Sequence, residues 1–527
     1  MNQPFRLENV GLINRNKKIS FKFNNKKYYG YEGDTLASAL IANGVHLIGR
    51  SFKYHRPRGF FGSGVDEPYA LVQLYRNGET IPNCRATEQE LFEGLEAKSL
   101  NCWPNVVFDI GAINNFLNIF FPAGFYYKTF MWPKSFWYKI YEPFIRKAAG
   151  FGAVSTNHDK ERYEHKYEYC DLLITGSGPS GLASAYSAAK NGAKVILAED
   201  KPRYGGSLLT SEVNIGNLSG KDWVNNIITE LKEMPNVILK KRSQVFGYYD
   251  HNMLVMSERI SDHLPQSKKF IPKQKLWYIR AKEVIISSGS IERPIVFGNN
   301  DTPGVLLASA AKEYLKVYGV LVGKKPLIFT NNDSAYETAI EFKKNGISPL
   351  ILDTRSNPNS EIIFEAKNMG IEIKFSYVVV SANGYRKVKS AKISKISENK
   401  KYIEKIEKVE CDCICVSGFW TPTIHLASQS GNKTQYNDQI DAFISGKSKQ
   451  NERTLGSANG IFSLKETLET SFKAGYEISK KFSNKDNKVT VPKVSEKKFT
   501  NHDKFWCVPL PKNKNYKRFL DFQNDVT

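Results

Sequence analysis

An α/β fold with two nucleotide-binding-type halves is predicted by three stretches of this sequence. In "DLLITGSGPSGLASAYSAAKNGAKVILAED" (171–200), an apolar strand runs into a glycine-rich turn. A helical spacing (Leu182, Ala185, Ala188, Ala189) and a second strand follow. In "KPLIFTNNDSAYETAIEFKKNGISPLILDTR" (325–355), the order strand, loop, helix, strand is repeated. Residues 19–48 differ: "ISFKF" and "KYYGY" alternate around Asn24-Asn25, and "DTLASALIANGV" has helical apolar spacing. A small β-rich domain ahead of two βαβ units is the architecture these stretches imply.

In the N-terminal part, the hairpin is followed by a helix with Asp34 at its N-cap, and then by the loop "SFKYHRPRGFFGSGVDEPYALV" (51–72). A basic, aromatic, glycine-rich loop ahead of an apolar strand suits a phosphate, a nucleic acid or a metal cluster. The next distinct stretch, 106–165, is rich in aromatic residues. Its longest uncharged run, "IGAINNFLNIFFPAGFYY", carries three Asn and a Pro, which a membrane span would not.

The turn Gly176–Gly181 is a dinucleotide fingerprint in its required context. Gly176 permits the tight turn, Gly178 lets the backbone approach a pyrophosphate, and Gly181 lets helix and strand pack. Pro179 and Ser180 open the helix, whose free N–H groups and partial positive charge face the phosphates. Glu199 closes the second strand, where an acid meets a ribose 2′-hydroxyl and repels a 2′-phosphate. NAD or FAD is therefore expected rather than NADP, with Asp200 and Lys201 at the same lip. In the second unit the equivalent turn is Thr330-Asn331-Asn332-Asp333-Ser334-Ala335. Its side chains would crowd a pyrophosphate and Asp333 would repel one, so this half is expected to keep the fold without binding a nucleotide.

The remaining composition narrows the function. The chain has 527 residues, 41% of them hydrophobic, enough for several cores. Its net charge of +22 is spread through Asn-rich segments such as "KKFSNKDNKV" and "KNKNYKR", a pattern of solvated surfaces rather than of a nucleic-acid groove. Seven cysteines with no CxxC pair and eight scattered histidines exclude a disulfide framework and a zinc site. Cys411, Cys413 and Cys415 alternate along one strand and are expected on one buried face. The N-terminus lacks a signal-peptide core, and a cytoplasmic protein outside the membrane is expected.

Beyond these readings, the sequence resembles known families. The paired βαβ units resemble the two-dinucleotide-domain flavoproteins of the thioredoxin- and glutathione-reductase superfamily, without the redox CxxC. The hairpin, helix and loop resemble the β-grasp fold of plant-type [2Fe–2S] ferredoxins. By register the cluster ligands of that family fall on Gly62, Glu67, Ala70 and Cys84, and one thiolate cannot hold a cluster. The whole chain resembles the alpha subunit of heterotetrameric sarcosine oxidase, through "GDTLASALIANGVHLIGRSFKYHRPRGFF", "PAGFYYKTFMWP", "YEPFIRKAAGFG", "FTNNDSAYETA" and "RFLDFQNDVT".

That resemblance implies one subunit of an αβγδ enzyme that oxidatively demethylates sarcosine to glycine. FAD lies in the beta subunit, FMN at the alpha–beta boundary, and oxygen is the final acceptor. NAD lies in the alpha subunit. Tetrahydrofolate belongs to a C-terminal aminomethyltransferase-type domain, expected beyond this chain. The NAD contacts carried over are Gly176, Gly178, Pro179, Ser180, Gly181, Glu199, Asp200, Lys201, Gly206, Ser207, Val245, Ser457, Ala458 and Ser463. No catalytic residue and no metal ligand is assigned. Expected boundaries are 1–105 for the ferredoxin-like domain and 106–165 for the aromatic connector. The dinucleotide domain takes 166–300 and 430–485, the second nucleotide fold 301–429, and a linker 486–527. Two alternatives stay open: the alpha subunit of a D-hydroxyproline- or proline-type dehydrogenase, and a non-catalytic scaffold subunit.

Overall fold

The computed structural model describes residues 3–76, 78–122, 124–125, 129–265, 270–497, 502–511 and 516–527. Part of the quoted stretch 122–133 (residues 123 and 126–128) therefore lies outside the described residues. The chain divides into two compact units. One comprises Met1–Asp159, Arg293–Phe419 and Phe499–Thr527; the other comprises Lys160–Glu292 and Trp420–Lys498.

In the first unit, Asn14–Phe23 and Lys26–Glu32 form the expected hairpin. Asn24 and Asn25 both adopt positive φ (50° and 63°), the conformation a two-residue type I′ turn requires. The sheet continues through Glu96–Ser99, Leu71–Arg76 and Glu79–Arg85, with Asn14–Phe23 parallel to Glu96–Ser99 and the other pairs antiparallel. A fully buried helix, Leu36–Ala42, belongs to the same domain. Its N-cap is Thr35, not Asp34: Thr35 and Ser38 exchange side chain-to-backbone bonds in a capping box. Asp34 is drawn off by other donors, accepting from Tyr31 N and Ser38 Oγ and pairing with Arg6 at 2.7 Å.

The same unit holds the second nucleotide fold. Val305–Leu307, Cys413–Ser417, Pro326–Thr330, Leu350–Asp353 and Glu372–Phe375 make a five-stranded parallel sheet in that order. Its near-continuous apolar runs fit a sheet covered on both faces. Cys413 and Cys415 lie in the second strand of this sheet with Cys411 just ahead of it, and all three are buried. One apolar core runs from the ferredoxin-like sheet through this fold and takes in Phe505, Phe519 and Phe522. The segment expected as a C-terminal linker is therefore packed structure over 502–511 and 516–527. Its aromatic side chains gain more from burial than an extended tether would allow.

The second unit is built on a seven-stranded sheet. Val237–Lys240, Val195–Ala198, Tyr163–Thr175 and Gln274–Ile286 run parallel, and Glu452–Thr454 joins Gln274–Ile286 in the same sense. Met253–Arg259 and Ser243–Tyr249 extend it antiparallel. The helix Pro179–Lys190 follows the first strand, and the returning helix Leu464–Ser479 packs on it. A Cβ at Gly475 would lie 2.4 Å from Ser184 O, so only glycine lets the two helices approach this closely. Ser180 Oγ meets Ser471 Oγ at 2.8 Å, and Ser184 and Ser187 donate to the backbone of the returning helix. Among the described residues no helix is long and apolar enough to cross a membrane.

Candidate dinucleotide site and the two closed sites

The glycine turn of the second unit joins Tyr163–Thr175 to Pro179–Lys190, and each glycine has a distinct steric reason. Gly176 has φ +92°, and a Cβ there would stand 2.4 Å from Ser287 O. A Cβ on Gly181 would stand 1.9 Å from Gly176 O, inside any permissible contact. Gly178 is the opposite case, with nothing within 4 Å of its Cβ position. The backbone there faces open space at the C-terminal edge of a parallel sheet, where nucleotides lie in such folds. Pro179, at the first helical position, has no N–H to leave unsatisfied. Two buried hydroxyls at this edge, Thr175 Oγ1 and Thr454 Oγ1, have no hydrogen-bond partner.

Glu199 is buried at the end of Val195–Ala198 and braces the turn. Its Oε2 accepts from Ser177 N at 2.9 Å and Ser177 Oγ at 2.6 Å, and its Oε1 accepts from Lys201 N at 3.0 Å. Burial and the adjacent Asp200 push Glu199 up to about 8. Asp200 is half-buried, and its carbonyl accepts from Arg259 at 2.8 Å. Gly206 and Ser207, both exposed, open a short 3-10 helix whose preceding Gly205 N donates to Ser177 O at 3.0 Å. A Cβ on Gly206 would meet Gly178 Cα at 2.9 Å, so the two glycine stretches face each other.

Val245 lies at a bulge in Ser243–Tyr249. Ser243 N donates to Glu199 O at 2.7 Å, which carries this strand past the acid. The returning residues Gly456–Asn459 include Ser457 and the fully buried Ala458. Gly456, with φ +64°, would place a Cβ 3.0 Å from Ser180 Cβ, so this turn sits against the start of the glycine-turn helix. Ser463 stands apart: its hydroxyl accepts from Glu466 N as the N-cap of Leu464–Ser479 and donates to Glu496 at 2.6 Å. That side chain is committed to the helix start. The glycine turn, Glu199, Gly206 and Gly456 thus lie together at one edge of the sheet, where the backbone at Gly178 is open.

The second nucleotide fold is closed by its own residues. Asn331, Asn332 and Asp333 are buried, and Asp333 pairs with Arg355 at 2.8 Å. Asp353, in the place equivalent to Glu199, takes the same guanidinium at 2.7 Å and Tyr336 Oη at 2.7 Å. The chain 502–506 crosses this edge. Asn331 Nδ2 donates to Asp503 O at 2.7 Å, Asp503 N donates back to Asn331 O at 2.9 Å, and Lys400 pairs with the Asp503 carboxylate. His502 stacks on Phe419 with ring centres 4.1 Å apart, and Arg293 lies 4.3 Å from the centre of the Trp506 ring. A pyrophosphate would have to displace all of these. The strap formed by 502–506 carries no sequence motif, so sequence reasoning had no means of finding it.

The loop of the ferredoxin-like domain is filled in a third way. Glu67, at one of the four ligand positions, is 1% exposed. Its Oε2 accepts from Phe61 N (2.7 Å) and Gly62 N (2.9 Å), and its Oε1 accepts from Tyr69 N and Ala70 N (both 3.0 Å). Burial pushes its carboxyl up to about 7 against the pull of these four donors. Cys84 Sγ points to the carbonyls of Ile81 and Pro82. Among the described residues no group of three or more metal-ligating side chains comes together. A [2Fe–2S] cluster needs four thiolates, and this loop offers one thiol and a carboxylate already saturated by its own backbone. The residues do not fit a cluster.

Comparison with known proteins agrees with this layout. Residues 16–102 match the family of 2Fe-2S iron-sulfur cluster binding domains, and residues 171–243 match the FAD dependent oxidoreductase family. The sarcosine oxidase subunit alpha of Rhizobium meliloti is 40% identical over 99% of this chain, which covers 52% of that protein. The corresponding subunit of Corynebacterium sp. (strain U-96) is 29% identical over 87% of this chain and 43% of its own length. The chain thus spans about half the length of the curated relatives it matches. Among solved structures, the L-proline dehydrogenase from P. horikoshii superposes with a TM-score of 0.58 at 19% identity, over 90% of this chain and 74% of that one. The fold is a two-dinucleotide-domain flavoprotein fold behind a ferredoxin-like domain, and the chain is a homologue of the sarcosine oxidase alpha subunits along nearly its whole length.

Proposed function

We propose that this chain is the dinucleotide-binding subunit of an oxidoreductase complex that demethylates sarcosine oxidatively to glycine. In that complex electrons leave the substrate at FAD in a beta subunit and pass through FMN at the alpha–beta boundary to oxygen. Gamma and delta subunits complete it, and tetrahydrofolate belongs to a domain outside this chain. The observation that carries the reading is the contrast among three sites: one glycine turn stays open at Gly178, while the second nucleotide fold and the cluster loop are occupied by the chain's own side chains. The similarity to sarcosine oxidase alpha subunits supplies the substrate class.

NAD is the dinucleotide we assign to the open site. When bound there, a nicotinamide dinucleotide supplies a two-electron hydride carrier. The chain's own part is to bind and orient it. The N-terminus of Pro179–Lys190 faces the phosphates, Gly178 admits them, and Glu199 receives a ribose hydroxyl while holding Ser177 and Lys201 in place. Substrate oxidation we assign to the partner subunit, in line with the similarity to sarcosine oxidase alpha subunits. The test is to purify the chain with its beta subunit, denature it, and identify the released dinucleotide by mass and absorbance. One NAD per chain is the expected result. A second FAD per alpha–beta pair in place of NAD would keep the site and overturn the cofactor, and no dinucleotide beyond the beta subunit's FAD would overturn the reading.

A further inference from the structure

The described residues between 103 and 154 of the first unit expose apolar side chains to water far beyond ordinary surface composition. Phe116, Ile119, Phe120, Trp132, Tyr138 and Phe144 are each 70% or more exposed. At roughly 200 Å² for a large side chain, these six leave roughly 900 Å² of apolar surface uncovered. That summed area compares with the about 800 Å² that each side of a standard protein interface buries.

This segment is anchored. His55 Nδ1 and Asp109 lie 2.8 Å apart, Arg50 Nε donates to Val106 O at 3.0 Å, and Tyr54 Oη donates to Phe121 O at 3.1 Å. At its far end Asn101 N donates to Gly150 O at 2.8 Å, and Phe52 stacks on Phe151. Both ends of the segment are therefore tied to the ferredoxin-like domain.

We propose that this surface is where a partner subunit docks, and that the partner presents an apolar face edged with carboxylates. The inference rests on the subunit reading above. Lys134, Lys139 and Lys147 are exposed on the segment, whereas Asp109 is held by His55 and Glu142 pairs with Arg146 at 3.2 Å. The exposed charge is thus cationic, and it calls for an acidic rim. A second copy of this chain would bring like charges together, on a background of +22 per chain. A lipid surface is a poorer occupant. Phe116, Ile119 and Phe120 lie in or beside short 3-10 turns (Ile110–Asn115, Asn118–Phe120), Tyr138 in the single turn Trp137–Tyr141 and Phe144 in a two-turn helix, and a bilayer does not satisfy the unpaired backbone groups of such short elements.

The experiment coexpresses the chain with the beta subunit of the same organism and measures association by sedimentation velocity. The wild type is compared with the double variant Phe116→Glu, Trp132→Glu. Both positions are exposed, so near-UV circular dichroism and the unfolding midpoint should stay unchanged. The proposal expects a heteromer with the wild type and at least 100-fold weaker association with the double variant. A heteromer that forms equally well with the variant overturns the docking surface and leaves the subunit reading standing. Absence of any heteromer with the wild type overturns both. A wild-type homodimer lost in the variant, or wild-type cosedimentation with phosphatidylglycerol vesicles that the variant loses, would replace the partner subunit by a second copy or a membrane.

Discussion

Replacing Glu67 by Ala tests what fills the loop of the ferredoxin-like domain. The carboxylate accepts four backbone N–H groups at 2.7–3.0 Å and is 1% exposed. At about 1 kcal/mol net for each hydrogen bond, its removal should cost about 4 kcal/mol where the side chain contributes fully. That condition depends on pH. Burial raises the carboxyl from 4.5 to about 7, so the folded state favours the protonated form. Its contribution is complete below about pH 4.5 and is lost as pH rises through about 7. At about 1.4 kcal/mol per pH unit the difference is about 3 kcal/mol.

The variant should therefore be less stable than wild type by about 3 kcal/mol near pH 5 and by about 1 kcal/mol near pH 8. Urea unfolding of both proteins at the two pH values, followed by tryptophan fluorescence and circular dichroism, measures this directly. A stability gap that widens as the pH rises would refute the claim that burial outweighs the four donors. A loss below about 1 kcal/mol at pH 5 would show that the loop does not depend on Glu67.

Other expectations concern binding and the closed sites. The purified chain should carry no iron–sulfur cluster, and metal analysis giving about two irons per chain with sulfide would contradict the reading of Gly62, Glu67 and Ala70. Glu199→Ala should weaken NAD by roughly 1–3 kcal/mol in calorimetry, and the wild type should prefer NAD to NADP above about pH 8, where Glu199 is ionised; equal affinities there would remove Glu199 from the ribose. Titration of NAD should find one site, abolished by Gly178→Trp, because the open space beside Gly178 is the only entry proposed. A second site, or one surviving in the variant, would mean that the fold around Asn331 still binds. Arg355→Ala should cost about 3–5 kcal/mol in unfolding experiments, since it leaves the Asp333 and Asp353 carboxylates buried without their cation. A change under about 1 kcal/mol would show that the pair is not what seals that fold.

The sequence by itself determined the local units of this protein. Asn24-Asn25 marked the hairpin, because few residues tolerate consecutive positive φ. Gly176, Gly178 and Gly181 marked the phosphate turn, because their spacing answers to contacts within a few residues of chain. The Asn331-Asn332-Asp333 turn was legible as unsuited to a pyrophosphate for the same local reason. Tertiary structure alone decided what occupies each place. Thr35 displaced Asp34 as the helix cap because Arg6, distant in sequence, competes for the Asp34 carboxylate. The expected linker folded onto the core because Phe505, Phe519 and Phe522 found apolar partners far along the chain. Asp503 reached Asn331 across 172 positions, a pairing that no periodicity or spacing encodes. Glu67 read as one lost ligand among three, yet its four donors come from both sides of the loop and converge only when the loop closes. Contacts set by neighbours along the chain leave a pattern in the sequence, whereas contacts set by packing are chosen by geometry that exists only in the fold.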